Sequence, residues 1–177
     1  MTTTKTVTRT VRMDEGIDES LQTLAKERGV SVNFLVNRSL RKFVEWDSHG
    51  EKFGIVSLPS AFIERAMTYL SPEQARELGE WVGRNLVKEF LVFWFKEVSA
   101  RTLLKGYPRL SAQYGRSFEY EEHVDGGRWT VVLKHSGGLN WSAYYEELLK
   151  AVMKEILHID ATVESTEGQV VARFMLG

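Results

Sequence analysis

The sequence predicts an α+β protein with two domains: a short strand and two helices, then long helices and an antiparallel sheet. Two observations lead to this prediction. The first is an alternating stretch at residues 6–13 that is followed by two amphipathic segments. The second is a pair of hairpin patterns near the C-terminus, which gives the second domain the order ααββαββ.

Residues 6–13 have the alternation of a strand whose two faces differ in chemistry. One face is mostly apolar and the other can form hydrogen bonds. The first face carries Val7, Arg9, Val11 and Met13, and the second carries Thr8, Thr10 and Arg12. A lone strand leaves its backbone N–H and C=O groups unpaired, and no second strand pattern follows nearby. We therefore expect the same strand of a second chain as its partner.

Two amphipathic helices are predicted after this strand. Their apolar positions are Ile17, Leu21, Leu24 and Ala25 in the first helix, and Phe34, Leu35, Leu40, Phe43 and Val44 in the second. Gly29 can end the first helix because it accepts the left-handed conformation, and Ser31 can cap the second. A unit of about 45 residues buries too little surface to be stable alone, which favours an intertwined dimer.

The strand Thr8-Arg9-Thr10-Val11-Arg12-Met13, followed by a helix and Gly29-Val30-Ser31-Val32-Asn33, resembles the Arc/MetJ-type ribbon-helix-helix DNA-binding family. The resemblance covers the N-terminal quarter of the chain and none of the rest. It implies that paired strands enter the major groove as a ribbon. The base-reading residues would be Thr8, Thr10 and Arg12. Ser31, Val32 and Asn33 would bind a phosphate at the start of the second helix.

The chemistry of these residues agrees with DNA recognition. Arg12 can bond bidentately to guanine, and threonine can contact either base type. Lys5 and Arg9 are expected to contact phosphates; Arg9 departs from the family, where an inward apolar residue is common, but it lies near the ribbon's end. Residues 1–45 hold eight Lys or Arg against six Asp or Glu, whereas the remainder holds fifteen against eighteen. The alternative interpretation is a solvated edge strand before an ordinary helical hairpin.

A change of composition marks the domain boundary. Only Phe34 and Phe43 precede Trp46, whereas eighteen of the twenty aromatic residues follow from Trp46 onward. Two glycines and mixed polarity after Trp46 are typical of a linker. We therefore place the DNA-binding domain at residues 1–46, the linker at 47–57 and the second domain at 58–177.

Two helices are predicted to open the second domain. Pro59-Ser60 begins a short helix, and Ser71-Pro72-Glu73-Gln74 is a strong start for a second one. We expect this second helix to run to about Leu104. Its apolar stripe comprises Leu78, Trp81, Val82, Leu86, Phe90, Phe93 and Val98. Its middle is apolar nearly all round, which indicates burial within a core or against a second copy.

Two hairpins with a helix between them should form the sheet. The first joins residues 118–124 and 129–135 through Asp125-Gly126-Gly127, and the second joins residues 159–163 and 170–176 through Glu167-Gly168. The helix between them is predicted to begin at Asn140 or Ser142 and to include residues as far as Ile156.

Aromatic residues of the second domain form a candidate effector pocket, although such residues more often belong to a core. The candidates are Trp81, Trp94, Trp129, Trp141 and Tyr144. The glycines of the loop Gly137-Gly138-Leu139-Asn140-Trp141-Ser142 would let a ligand or a partner approach closely.

Other chemistry has little support in the sequence. There is no cysteine, and histidines 49, 123, 135 and 158 show no close ligand spacing, so we expect no metal. Glu119, Glu121, Glu122 and Asp125 are better explained as a solvated strand than as paired catalytic carboxylates. No phosphate-binding loop or nucleophile elbow is present, and we predict no enzyme activity and no cofactor. The polar N-terminus and the lack of a membrane-length apolar run predict a cytoplasmic protein.

The sequence therefore predicts a homodimeric, sequence-specific DNA-binding transcriptional regulator. The resemblance to the ribbon-helix-helix family implies that two dimers can also meet as a tetramer on DNA. The second domain would sense a small-molecule effector or join dimers. The alternative is an antitoxin-like autoregulator whose C-terminal part binds a partner protein. A third class is a structural oligomer with no role on DNA.

Overall fold

The computed structural model describes residues 6–176, apart from the side chain of Lys105. The chain divides into two compact units between Val44 and Glu45. Lys5, for which we predicted a phosphate contact, lies outside the described residues.

The first unit consists of an irregular segment at residues 6–14, helix α1 at Glu15–Arg28 and helix α2 at Val32–Lys42. The predicted strand is not formed in the single chain, because the described part of this unit offers no second strand to pair with it. The predicted boundary between the helices is confirmed. Gly29 is left-handed with φ 63°, and Val30 N–H donates to the carbonyl of Ala25 at 3.0 Å.

The second unit contains seven further helices among the described residues. They are α3 at Ser48–Phe53, α4 at Ser60–Met67, α5 at Pro72–Val82, α6 at Lys88–Phe95, α7 at Ala100–Lys105, α8 at Tyr107–Leu110 and α9 at Gly138–Ala151. Short π-helical turns lie at Phe43–Asp47, Gly83–Val87, Ser111–Gly115 and Val152–Ile156. Ser71 caps α5 as expected, since its side chain accepts from Gln74 N–H while Gln74 bonds back to Ser71 N–H.

Both predicted hairpins are confirmed and form one four-stranded antiparallel sheet. The strands are β1 at Glu119–Asp125, β2 at Arg128–Lys134, β3 at Ala161–Thr166 and β4 at Gln169–Met175, in the order β1-β2-β4-β3. Gly126 and Gly127 have φ of 53° and 83°, which allows the tight turn between β1 and β2. One face of the sheet packs against α9 around the buried side chains of Val131, Leu133, Val170 and Ala172. The mixed α+β architecture therefore follows the sequence-based expectation.

The long second helix of this domain was predicted wrongly beyond Phe95. The chain turns at Lys96, whose φ is 56°, and a new helix begins after Ser99. The reason is local: the Ser99 and Thr102 side chains each accept from the other's backbone N–H and so cap α7. α7 falls in the range predicted as helical, whereas α8 and the π-helical turn that follows it add helical structure beyond Leu104, where none was predicted.

The stretch predicted as a linker is partly helical. Within residues 47–57, Ser48–Phe53 forms α3. His49 and Phe53 of α3, together with Trp46, lie on one helical face at spacings of three and four residues. Their rings pack against Trp94 of α6 at centroid distances of 5.3 to 5.6 Å.

The face by which α5 packs was also unexpected. Leu78, Trp81 and Leu86 of the predicted apolar stripe are exposed, whereas Ala75, Gly79 and Gly83 face α9. A Cβ atom at Gly79 would lie 2.0 Å from the carbonyl oxygen of Tyr144, and one at Gly83 would lie 2.8 Å from that of Leu148. The small residues therefore let the two helix backbones approach directly.

We predict that Gly79→Ala destabilises the second unit by about 1–3 kcal/mol or more, because the added methyl group forces α5 away from α9. Urea unfolding followed by tryptophan fluorescence measures this, since all five tryptophans lie at or after residue 46. The control is Gly16→Ala in α1, where the added Cβ atom would have no neighbouring atom within 4 Å. This control should leave the midpoint of the urea transition unchanged. An unchanged midpoint for Gly79→Ala would contradict the close packing of these helices.

Candidate nucleic-acid interface

The predicted base-reading residues lie on an exposed segment. Thr8, Thr10 and Arg12 are all exposed, and so is Arg9. The apolar side chains that alternate with them are exposed as well, at 68% for Val7 and 69% for Val11. The single chain thus leaves both faces of the segment in solvent.

The helices of the first unit bury little apolar surface by themselves. Ala25 and Leu35 are the buried apolar residues in the described part of this unit. Six large apolar side chains of the helical region remain exposed: Ile17, Leu24, Phe34, Leu40, Phe43 and Val44. Exposed apolar surface on this scale is typical of a protein–protein interface.

The start of α2 has the geometry of an anion-binding helix terminus. Ser31 Oγ accepts from Phe34 N–H at 3.1 Å, so the predicted cap is confirmed. Val32 and Asn33 follow as the first two helical residues, and their N–H groups have no partner within the helix. The Asn33 side chain accepts from Asn37 Nδ2 at 3.0 Å. Val32 is half-buried and Asn33 is exposed, so an oxyanion can approach this end of the helix.

The five residues of the predicted effector pocket do not converge on one site. Trp81 is 52% exposed on α5, Trp94 lies in the cluster with α3, and Trp129 stacks on Phe174 across the sheet at 6.3 Å. Only Trp141 and Tyr144 of this set are in contact, with stacked rings 5.1 Å apart on α9. The loop at residues 137–142 is mostly the first turn of α9, and Asn140 Nδ2 donates to the carbonyls of Met67 and Leu70.

Sequence reasoning missed an aromatic cluster at the start of the second unit. Trp94 stacks on Phe90 at 4.0 Å and donates from Nε1 to the carbonyl of Glu45 at 3.0 Å. The Glu45 carboxylate accepts from the Tyr114 hydroxyl at 2.8 Å. The spacing of Trp46, His49 and Phe53 was the available signal for a helix packed on its aromatic face.

Four tyrosines near the core keep their protons at ordinary pH. Burial raises the pKa of Tyr107 to about 12 and raises the pKa values of Tyr120, Tyr144 and Tyr145 as well. These hydroxyls act as neutral hydrogen-bonding groups.

The half-buried His135 and the buried Ser142 form a polar connection between three elements. His135 Nδ1 accepts from Gly137 N–H at 3.3 Å, which leaves Nε2 to donate to Ser142 Oγ at 3.2 Å. Ser142 is 2% exposed, and its hydroxyl lies against the carbonyls of Thr166 and Glu167 in the turn between β3 and β4. A hydroxyl enclosed in this way joins the end of β2, α9 and the second hairpin.

Two of the four acidic residues of β1, Glu121 and Glu122, form ion pairs with different partners. Glu121 pairs with Lys134 at 2.6 Å, and this contact lowers the pKa of its carboxyl group. Glu122 pairs with Arg109. No group of three or more His, Asp or Glu side chains in the described part of the chain could hold a metal ion. None of the helices within residues 6–176 is both long enough and apolar enough to cross a membrane.

Comparison of the chain with models of protein families, with curated proteins and with solved structures found no match.

We predict that the second unit loses stability as the pH falls below about 6.5. Burial lowers the pKa of His135 from its ordinary value of 6.5, so the unfolded chain binds this proton more readily than the folded chain. The stability that neutral His135 contributes is complete above pH 6.5 and is lost as the pH falls towards its lowered pKa in the folded state. Protonation of Nδ1 also breaks the hydrogen bond that this atom accepts from Gly137 N–H.

Urea unfolding at pH 7.5 and pH 5.5 tests this, and His135→Gln should reduce the difference between the two midpoints. The matched control is His123→Gln at an exposed position of β1, which should keep the wild-type difference. Equal pH dependence in the wild type and in His135→Gln would refute the role of His135.

Proposed function

We propose that this protein is a sequence-specific DNA-binding regulator that acts as a homodimer, with the two segments at residues 6–13 paired as a ribbon in the major groove. The observation that carries the proposal is the apolar surface of the first unit. Its alternating segment and the stripes of both helices are exposed in one chain, with Ala25 and Leu35 as the buried apolar residues of the described part.

A second copy of the chain supplies what this unit lacks. An antiparallel pair of the same segment pairs the backbone groups on the facing edges of the two strands and places their apolar residues on one face. The exposed stripes of α1 and α2 can then be buried under that face. Since the same segment occurs in each copy, the interface is self-complementary about a two-fold axis.

Pairing in this way leaves a surface suited to DNA. Thr8, Thr10 and Arg12 of both strands lie on the face opposite the apolar one, where Arg12 can reach guanine O6 and N7. A two-stranded ribbon fits the major groove in width. Arg9 and the N–H groups at the start of α2 supply contacts to phosphates, which orient the ribbon.

The second unit would regulate or extend this dimer. It has its own apolar core and antiparallel sheet, so its fold does not depend on the ribbon. We assign it a role in effector sensing or in joining dimers into a tetramer on DNA.

Replacing Arg12 with alanine should weaken binding to the preferred operator by about 1–3 kcal/mol and relax sequence preference, because the guanine contact is lost. The operator is first obtained by selection from random duplexes with the full chain, and affinities are then measured by fluorescence anisotropy at fixed salt. Arg128→Ala removes the same charge from an exposed position of β2 and should bind like the wild type. Wild-type affinity and preference in Arg12→Ala would show that Arg12 reads no base.

Replacing Val11 with lysine should convert the dimer into a monomer, because a charge would be buried in the ribbon's apolar face. Sedimentation velocity should give twice the chain mass of 20.3 kDa for the wild type and about that mass for Val11→Lys. Val56→Lys is the matched control, since Val56 is 74% exposed in the second unit. A monomeric wild type, or a dimer that tolerates Val11→Lys, would contradict pairing through this segment.

A further inference from the structure

The core of the second unit contains a small cavity with apolar walls. Its volume is about 30 Å³. Val131 of β2, Leu148 of α9 and Val87 of the π-helical turn after α5 form one side of it. No charged side chain lines it, and the neighbouring tyrosine hydroxyls are neutral because burial raises their pKa values. A space of this size could hold about one water, but an apolar site gives water too few partners.

The other side of the cavity is formed by a segment that we call the flap, residues 96–116. The flap comprises α7, α8 and the π-helical turn at Ser111–Gly115, and it contributes Leu103, Leu104, Tyr107 and Pro108 to the cavity wall. Lys96 and Arg116 bound the flap, and both are left-handed with φ of 56°. Short helices between two such turns can move as one piece.

The flap is held over the sheet by polar contacts near the surface and by Leu103 and Leu104, whose side chains are buried in the core. Arg109 of the flap pairs with Glu122 of β1, and the Arg109 side chain is 53% exposed. The Tyr120 hydroxyl lies 3.0 Å from both the carbonyl oxygen of Leu104 and Glu122 Oε2, and these two acceptors share its single proton. An exposed ion pair contributes little stability. The main cost of opening the flap is therefore the exposure of the Leu103 and Leu104 side chains, which a bound apolar molecule would cover again.

The flap also touches the first residues of the second unit. Tyr114 donates to the carboxylate of Glu45, and Tyr107 packs edge-on against Phe90 at 4.9 Å. Phe90 stacks on Trp94, which donates to the carbonyl of Glu45. A change in the position of the flap therefore changes the contacts of Glu45, the residue that follows the first unit in the chain.

We propose that the cavity is the closed form of a binding site for a compact, uncharged, mostly apolar molecule about the size of one aromatic ring. A dry cavity that holds benzene measures about 150 Å³, so entry of such a molecule requires the flap to move outward. Its role as the effector site rests on the proposed function, whereas binding of the molecule does not.

The probe for this site is toluene, with benzoate as the charged counterpart of similar shape. Methyl NMR of the full-length protein should show saturable toluene binding with NOEs to Leu103, Leu104, Val87 and Val131. Benzoate should give none, because its charge would be buried without a partner.

Two variants test the flap and the cavity separately. Arg109→Gln removes the ion pair with Glu122 and should bind toluene at least threefold more tightly, since the closed form is less stable. Val87→Ile adds one methylene group to the cavity wall and should weaken binding at least fivefold. Val56→Ile makes the same change on the surface and should bind like the wild type.

The site is rejected if saturating toluene gives no NOEs to these four residues in either the wild type or Arg109→Gln. It is also rejected if toluene contacts only the exposed side chains of Leu78 and Val92. If toluene binds but the protein does not bind DNA, the proposed cavity site stands and the proposed DNA-binding function is wrong. If the protein binds DNA but toluene makes no contact with the cavity, the DNA-binding function stands and the cavity site is wrong.

Coupling to DNA is measured as the change in operator affinity at saturating toluene, expected to be at least threefold. Tyr114→Phe removes the hydrogen bond to Glu45 and should keep toluene binding while reducing this change. If toluene does not change the operator affinity, the coupling between the cavity and DNA binding is wrong. The NOEs would still support the binding site.

Discussion

The direct packing of α5 on α9 is the constraint on which the second unit depends. Backbone carbonyls of α9 occupy the space where side chains would stand at Gly79 and Gly83. This contact fixes α9, and α9 covers the inner face of the sheet around Val131, Val170 and Ala172. The π-helical turn after α5 then brings Val87 into the same core. A close approach of this kind tolerates no added atom, because folded cores are already packed as densely as organic crystals.

The first unit has the opposite character, since it exposes most of the apolar surface that its sequence provides. Its two helices are well specified at their ends, by the left-handed Gly29 and by the Ser31 cap. Local signals of this kind define where a helix begins and ends, but they do not provide a core. A unit with this balance is stable when a second molecule covers it, and the proposed ribbon dimer is an arrangement in which the same surface serves both chains.

The flap and the aromatic cluster connect the core of the second unit to its first residues through a series of contacts. Tyr107 faces the cavity and also Phe90, while Tyr114 bonds to Glu45. Both tyrosines belong to the flap. A movement of the flap would therefore change both the wall of the cavity and the hydrogen bond to Glu45. A ligand that moved this segment would change both sets of contacts, which is the condition for shifting a conformational equilibrium.

The sequence by itself determined the boundary between α1 and α2, the start of α5, both hairpins and the α+β class, because capping residues, turn glycines and strand alternation act over a few neighbouring positions. For the N-terminal segment it predicts which residues would share a face of a paired strand, and the single chain does not form that strand. Only the tertiary structure decided which side of α5 is buried: Leu78 and Trp81 are the more apolar choice, but Ala75, Gly79 and Gly83 let the backbones meet. It likewise separated the five aromatic candidates and placed the cavity beneath α7 and α8 instead. Such choices depend on which distant segments fit together, and spacing along one chain carries no information about that fit.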